Sequence, residues 1–113
     1  MISKDKVVTT PEIPGYKITK VLGLVTGLSP RTRGVGGQLW GGIQSLLGGE
    51  VTAFTLEVEK ARVEAIGRAI ERAEELGANA IVGMDLETSE MGSAQMNIMC
   101  ISTTGTAVVV EQE

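Results

Sequence analysis

Between residues 16 and 28 the alternation of apolar and polar positions breaks down, because both alternating sets are apolar: Ile18, Leu22 and Leu24 on one, Val21 and Val25 on the other. A strand covered on both faces carries this pattern. It is preceded by a short extended piece at 7–10 and a turn bracketed by Pro11 and Pro14-Gly15, and Ser29-Pro30 is expected to end it. A glycine-rich stretch, 34–42, then leads into Leu39, Trp40, Ile43, Leu46 and Leu47, whose spacing suits one face of a short helix closed by Gly48-Gly49.

The pattern changes to helical over 51–76. Glu64 and Arg68 stand in the favourable i,i+4 order, and Gly77 sits where a C-cap glycine belongs. At about 100° per residue, Phe54, Val58, Ala61, Ala65, Ala69, Ala73 and Leu76 form one stripe, and Leu56, Val63 and Ile70 form a second, displaced to another side. A helix lying on one sheet needs only the first, and its small alanines permit close approach to that sheet. The second is either the margin of a broad core face or a contact for a neighbouring subunit, and the neighbour is the preferred reading.

Two strands are predicted after the helix. Over 80–89, Val82, Met84, Leu86 and Thr88 share a face while Asp85 and Glu87 point the other way; over 94–103, Ala94, Met96, Ile98 and Cys100 oppose Gln95, Asn97, Met99 and Ile101. Met91-Gly92-Ser93 makes a hairpin turn between them, and a last strand at 106–110 is expected beyond a break at Gly105. Strand, helices, then strands define an α+β class in a single domain, 1–113.

The residues at the junctions resemble those of a known family. Ile13-Pro14-Gly15-Tyr16, Leu22-Gly23, Val25-Thr26-Gly27, Gly48-Gly49-Glu50, Glu75-Leu76-Gly77-Ala78-Asn79-Ala80-Ile81-Val82-Gly83, Thr88-Ser89 and Gly105-Thr106-Ala107-Val108 follow one another as in the YbjQ family of ring-forming microbial proteins. Together their order and spacing are specific. The resemblance implies a dodecin-like β-α-β-β subunit, an antiparallel sheet packed on a long helix, and assembly as a homopentamer. The family carries a heavy-metal-binding label, which the residues themselves have to support.

Composition sets limits on function. The 113 residues include three aromatics, Tyr16, Trp40 and Phe54, so the core is built from aliphatic side chains and methionine and gains from association. A net charge of −4 argues against nucleic acid, which is bound through dense Lys and Arg. Positive charge gathers before residue 34 and negative charge after it, which either lets opposite halves meet across subunits or reflects ordinary variation on a solvated surface. The charged N-terminus lacks the apolar stretch of a secretory signal, and the apolar run at 21–28 is too short to span a bilayer, so the expected location is the cytoplasm.

Candidate chemistry is sparse. The chain has no histidine and one cysteine, which leaves Cys100 and Met96, with Met91 and Met99 nearby in sequence, as soft ligands for a Cu(I)-like ion. One strand face offers at most a two-sulfur pair, so a convincing site requires cysteines pooled across a ring; buried sulfur filling core space is the commoner explanation. Asp85, Glu87 and Glu90 are too few for a hard-cation site. Arg31 and Arg33 beside Gly34, Gly36 and Gly37 suit an anion or phosphate compound, but the spacing matches neither phosphate-loop pattern. No serine has a recognisable base, so no enzyme activity is expected. The expected role is a homopentameric scaffold or small-ligand-binding protein, with ligand and cofactor unassigned and Leu56, Val63 and Ile70 at the subunit interface.

Overall fold

A computed structural model describes residues 2–32, 50–92 and 97–113. Among them the chain forms strand β1 (Tyr16–Thr32), helix α1 (Glu50–Glu75), strand β2 (Ala80–Gly92) and strand β3 (Asn97–Gln112). The sheet order is β1-β3-β2, antiparallel throughout, with α1 on one face. This is an α+β arrangement with β-α-β-β connectivity. The predicted short helix at 39–47 lies outside the described residues, as do Ser93 and residues 94–96 of the predicted turn and strand.

The two final strands predicted from the sequence are one. β3 runs unbroken through Gly105, which pairs with Val25 in the middle of the sheet. Its glycine answers packing and does not break the strand: a Cβ there would lie 2.6 Å from Ile81 Cγ2, so the Ile81 side chain occupies the space a side chain at 105 would need.

β1 also outlasts its predicted end, continuing past Pro30 to Thr32. It is an edge strand, and alternate residues point their backbone groups the same way. The Thr26 and Leu28 carbonyls accept from Arg72 and Arg68 of α1 on the outer edge. Pro30 is two residues further on, so its missing N–H faces outward and no ladder bond is lost.

Two bulges set which face each β1 side chain takes. The register slips at Thr19, whose hydroxyl donates to the Val109 carbonyl at 3.2 Å, and again at Leu22. Each slip inserts one residue, so Ile18, Val21 and Leu24, three apart, stand opposite Val110, Val108 and Thr106 and share their face. Leu22 and Val25 turn to the helix side. Of the predicted set Ile18, Leu22 and Leu24, the bulges keep Ile18 with Leu24 and move Leu22 to the other face.

The helix lies on the sheet through Ala61, Ala65, Ala69 and Ala73, each fully buried. Four residues apart and small, they let the backbones close in. A Cβ on Gly27 of β1 would fall 1.9 Å from the Ala65 carbonyl oxygen and 2.9 Å from the Ala69 nitrogen, so no larger residue fits this crossing. Val25, Ile81, Met84, Ile101 and Ala107 complete the layer. The predicted cap is present as a Schellman motif: Gly77 N–H donates to Glu74 O and Ala78 N–H to Ala73 O, both at 3.0 Å.

The predicted extended piece near the N-terminus lies parallel to β2. Val7 bridges Ile81, Val8 exchanges bonds with Ile81 and Met84, and Gly83 N–H donates to the Thr10 carbonyl. A bulge in β2 between Val82 and Asp85 accommodates this contact, with Gly83 at φ 63, a conformation L side chains rarely adopt. The bulge overturns the predicted common face of Val82 and Met84: Met84 packs under the helix, while Val82 joins Ile13, Ala80, Val108 and Val110 on the opposite side.

Candidate functional site

The most distinctive surface is the sheet face away from α1. At one end, residues 8–16 cover it with Val8, Ile13 and Tyr16. Elsewhere the described residues leave it open. β1 contributes Ile18, Val21, Leu24 and Leu28, with Val21 64% and Leu24 73% exposed. β3 adds Cys100, Ser102, Thr104 and Thr106 by register, and beyond them β2 adds Ser89, Glu87 and Asp85. An apolar column, a hydroxyl column and an acidic row thus lie side by side.

A second apolar surface lies on the far side of α1. Leu56 is 54% and Val63 72% exposed, and with Glu59, Lys60 and Glu64 they line a shallow concavity. Ile70, predicted in the same stripe, is half-buried against the core and joins the two surfaces of the helix. The stripe is therefore partly a core margin at Ile70 and an uncovered contact at Leu56 and Val63. Full burial of a Val, Leu or Ile side chain contributes about 1.5–3 kcal/mol, so covering the exposed parts of Ile18, Val21, Leu24, Leu28, Leu56 and Val63 would contribute on the order of 6 kcal/mol before the costs of association.

Arginines on the helix govern the free edge of β1. Arg72 Nη1 donates to the Thr26 carbonyl at 2.7 Å and to Thr26 Oγ1 at 3.0 Å, and Arg68 donates to the Leu28 carbonyl. Arg68 is held in turn by Glu64 at 3.0 Å, the i,i+4 pair expected from the sequence, and Glu64 also accepts from buried Ser29 Oγ at 3.1 Å. Two outward carbonyls of a 17-residue edge strand are thereby occupied and less available to a foreign strand. Replacing Arg68 and Arg72 together with Ala should cost under about 1 kcal/mol apiece in stability, since both are exposed, yet speed aggregation near the unfolding midpoint. Light scattering during a slow heating ramp checks this; a double variant that aggregates no faster than the parent removes the edge-shielding role.

Among the described residues, no two of the predicted ligands are brought together. Cys100 is half-exposed on the open face, between Pro30 and Ser89, while Met99 points to the helix side and is buried. Met96 lies outside the described residues, as do Arg33, Gly34, Gly36, Gly37 and the Arg31 side chain. Among the described residues no three His, Cys, Asp or Glu gather where they could hold a metal ion, and no helix is long and apolar enough to cross a membrane. Sequence reasoning missed the exposed column on β1, although its doubly apolar pattern signals a second cover that the described residues do not provide.

Fold and surface together define a small two-layer α+β domain whose described residues leave an exposed apolar patch on each outer side. The chain belongs to the YbjQ family, whose model, described as "Putative heavy-metal-binding", matches residues 6–111. It is similar to a UPF0145 protein of Methanoregula boonei, 44% identical over 107 residues, spanning 95% of this chain and 87% of that protein. A UPF0145 protein of Saccharolobus islandicus is 46% identical over 104 residues, covering 91% and 89% of the two chains. Among solved structures, a DUF74-family protein of unknown function from Pediococcus pentosaceus shares the fold with a TM-score of 0.66 at 14% identity, over 93% of this chain and 96% of that one.

Proposed function

We propose that the protein acts as a homopentameric scaffold that holds a small ligand at its subunit junctions. The observation that carries this reading is the pair of apolar surfaces on opposite outer sides, Ile18, Val21, Leu24 and Leu28 on the sheet and Leu56 and Val63 on the helix, all exposed among the described residues. The doubly apolar sequence of β1 supports it, because that pattern belongs to a strand buried on both faces. Ligands held at a junction would meet the hydroxyl column and Cys100 of the open face. A soft metal ion would need sulfur from several subunits, since one subunit places a single cysteine there. Sedimentation at micromolar concentration should give one species of about five chain masses; a stable monomer would remove both the ring and any site built by it.

A further inference from the structure

We infer that the outer edge of β2 between Ile81 and Met84 is a docking site for an extended segment of a partner protein, and that residues 2–10 of this chain occupy it as a removable cover. The site lies within one chain, so it stands whether or not copies assemble.

The edge is shaped for a chain lying beside it. The bulge in β2 turns two consecutive N–H groups, those of Gly83 and Met84, toward the same side, which a regular strand with alternating groups cannot do. Gly83 N–H donates to the Thr10 carbonyl at 2.9 Å and Met84 N–H to the Val8 carbonyl at 3.0 Å, while the Ile81 carbonyl accepts from Val8 N–H at 2.9 Å. A Cβ on Gly83 would meet nothing within 4 Å, so this glycine serves its backbone conformation and no packed neighbour. The bulge interrupts pairing with β3, and what it gains is three bonds to the incoming strand.

Val7 and Val8 show which side chains the site takes. Val7 packs with the core under the helix and Val8 with Ile13, Ala80 and Val82 on the opposite side, so two adjacent apolar residues clasp the sheet from both faces. Both are only half-buried, and a partner with bulkier β-branched residues at these two places would bury more. The cover is held mainly at its ends, where Ile2 is 7% and Ile13 8% exposed. Between them residues 3–5 and 9–12 are exposed. Such a segment swings out at 9–12 once Ile2 leaves its seat, while β1, α1 and β3 keep their pairings.

A second copy is not the occupant. Its N-terminal segment carries the same residues as the cover, and the cover is tethered, at an effective concentration in roughly the millimolar range. A visitor prevails only with better side chains, which makes it a different protein. Main-chain bonds then supply affinity and the two apolar positions supply selectivity, the division of labour in strand addition.

The test uses the full chain carrying Val8→Pro, which removes the N–H that the Ile81 carbonyl accepts and loosens the cover. A fluorescently labelled peptide of residues 2–10 with Val7→Ile and Val8→Ile should bind this variant, read by anisotropy, and bind the parent about tenfold or more weakly. Failure to bind a variant that keeps the parent's circular dichroism spectrum overturns the site, and equal binding to both overturns the covering role. Displacement of the bound peptide by an equal amount of unlabelled parent would make a second copy the occupant and overturn the foreign partner. If the variant does not fold, hydrogen exchange in the parent decides. The Gly83 and Met84 amides should exchange roughly 30-fold or more faster than those of Thr103 and Gly105 in mid-sheet. Exchange of all four at one rate would mean that the cover leaves only when the whole domain unfolds, and the inference falls.

Discussion

Gly27→Ala should lower the thermal unfolding midpoint by about 10 °C or more, the largest effect expected from adding a single methyl group at any described glycine. The new Cβ would stand 1.9 Å from the Ala65 carbonyl oxygen and 2.9 Å from the Ala69 nitrogen. Both obstacles are backbone atoms of a helix and cannot rotate aside. Relief requires that α1 lift from the sheet, which opens gaps along the alanine row and strips contacts from Val25, Ile81 and Ile101. Overpacking commonly costs about 1–3 kcal/mol, and this site belongs at the upper end because the strain falls on two elements together. Calorimetry of the purified variant provides the check. A midpoint within two or three degrees of the parent would mean that the crossing is looser than described.

A second large effect lies where β3 passes under Ile81. Ile81→Ala removes a fully buried side chain and should cost about 2–5 kcal/mol through lost burial and the cavity left behind. Gly105→Ala should also destabilise, because its Cβ would come within 2.6 Å of Ile81 Cγ2. The two changes are coupled. Once Ile81 is alanine, the obstructing methyl is gone and the alanine at position 105 fills part of the vacated space; its remaining neighbours, Met84 Cα and the Val82 carbonyl oxygen, stand at an ordinary 3.6 Å. The double variant should therefore be more stable than the sum of the single losses predicts, by about 1 kcal/mol or more. Urea unfolding of all four proteins completes the cycle, and strict additivity would show that Gly105 is required for some reason other than Ile81.

The helix was legible in the sequence because its signals are periodic and local. The alanine row, the Glu64–Arg68 pair and the Gly77 cap are each fixed by spacings of a few residues, and they stand where expected. The sheet was legible in class and less so in detail. A bulge adds one residue and inverts the alternation beyond it, so Leu22 parted from Ile18 and Leu24, and Val82 from Met84, without a change in composition to announce it. In the sequence Pro30 and Gly105 read as strand breakers, and in the fold both lie inside strands. Whether proline or glycine ends a strand depends on which edge it faces and what packs beneath it, and both are tertiary facts. Of the candidate contact residues, Leu56 and Val63 were visible as a stripe, whereas the β1 column emerged only after its bulges placed Ile18, Val21 and Leu24 on one face.

The central position of β3 has a consequence in time. The strand that both edges need is the last of the three along the chain, and β1 meets it through pairs as distant in sequence as Tyr16 and Gln112. During synthesis β1 and α1 leave the ribosome with no sheet to join. The β2–β3 pairing is the local step, and closure of β1 over so long a loop has to follow it. Until then the apolar column of β1 is a free strand with two bare edges. The interval before β3 is complete is therefore when this chain most needs protection from its own copies.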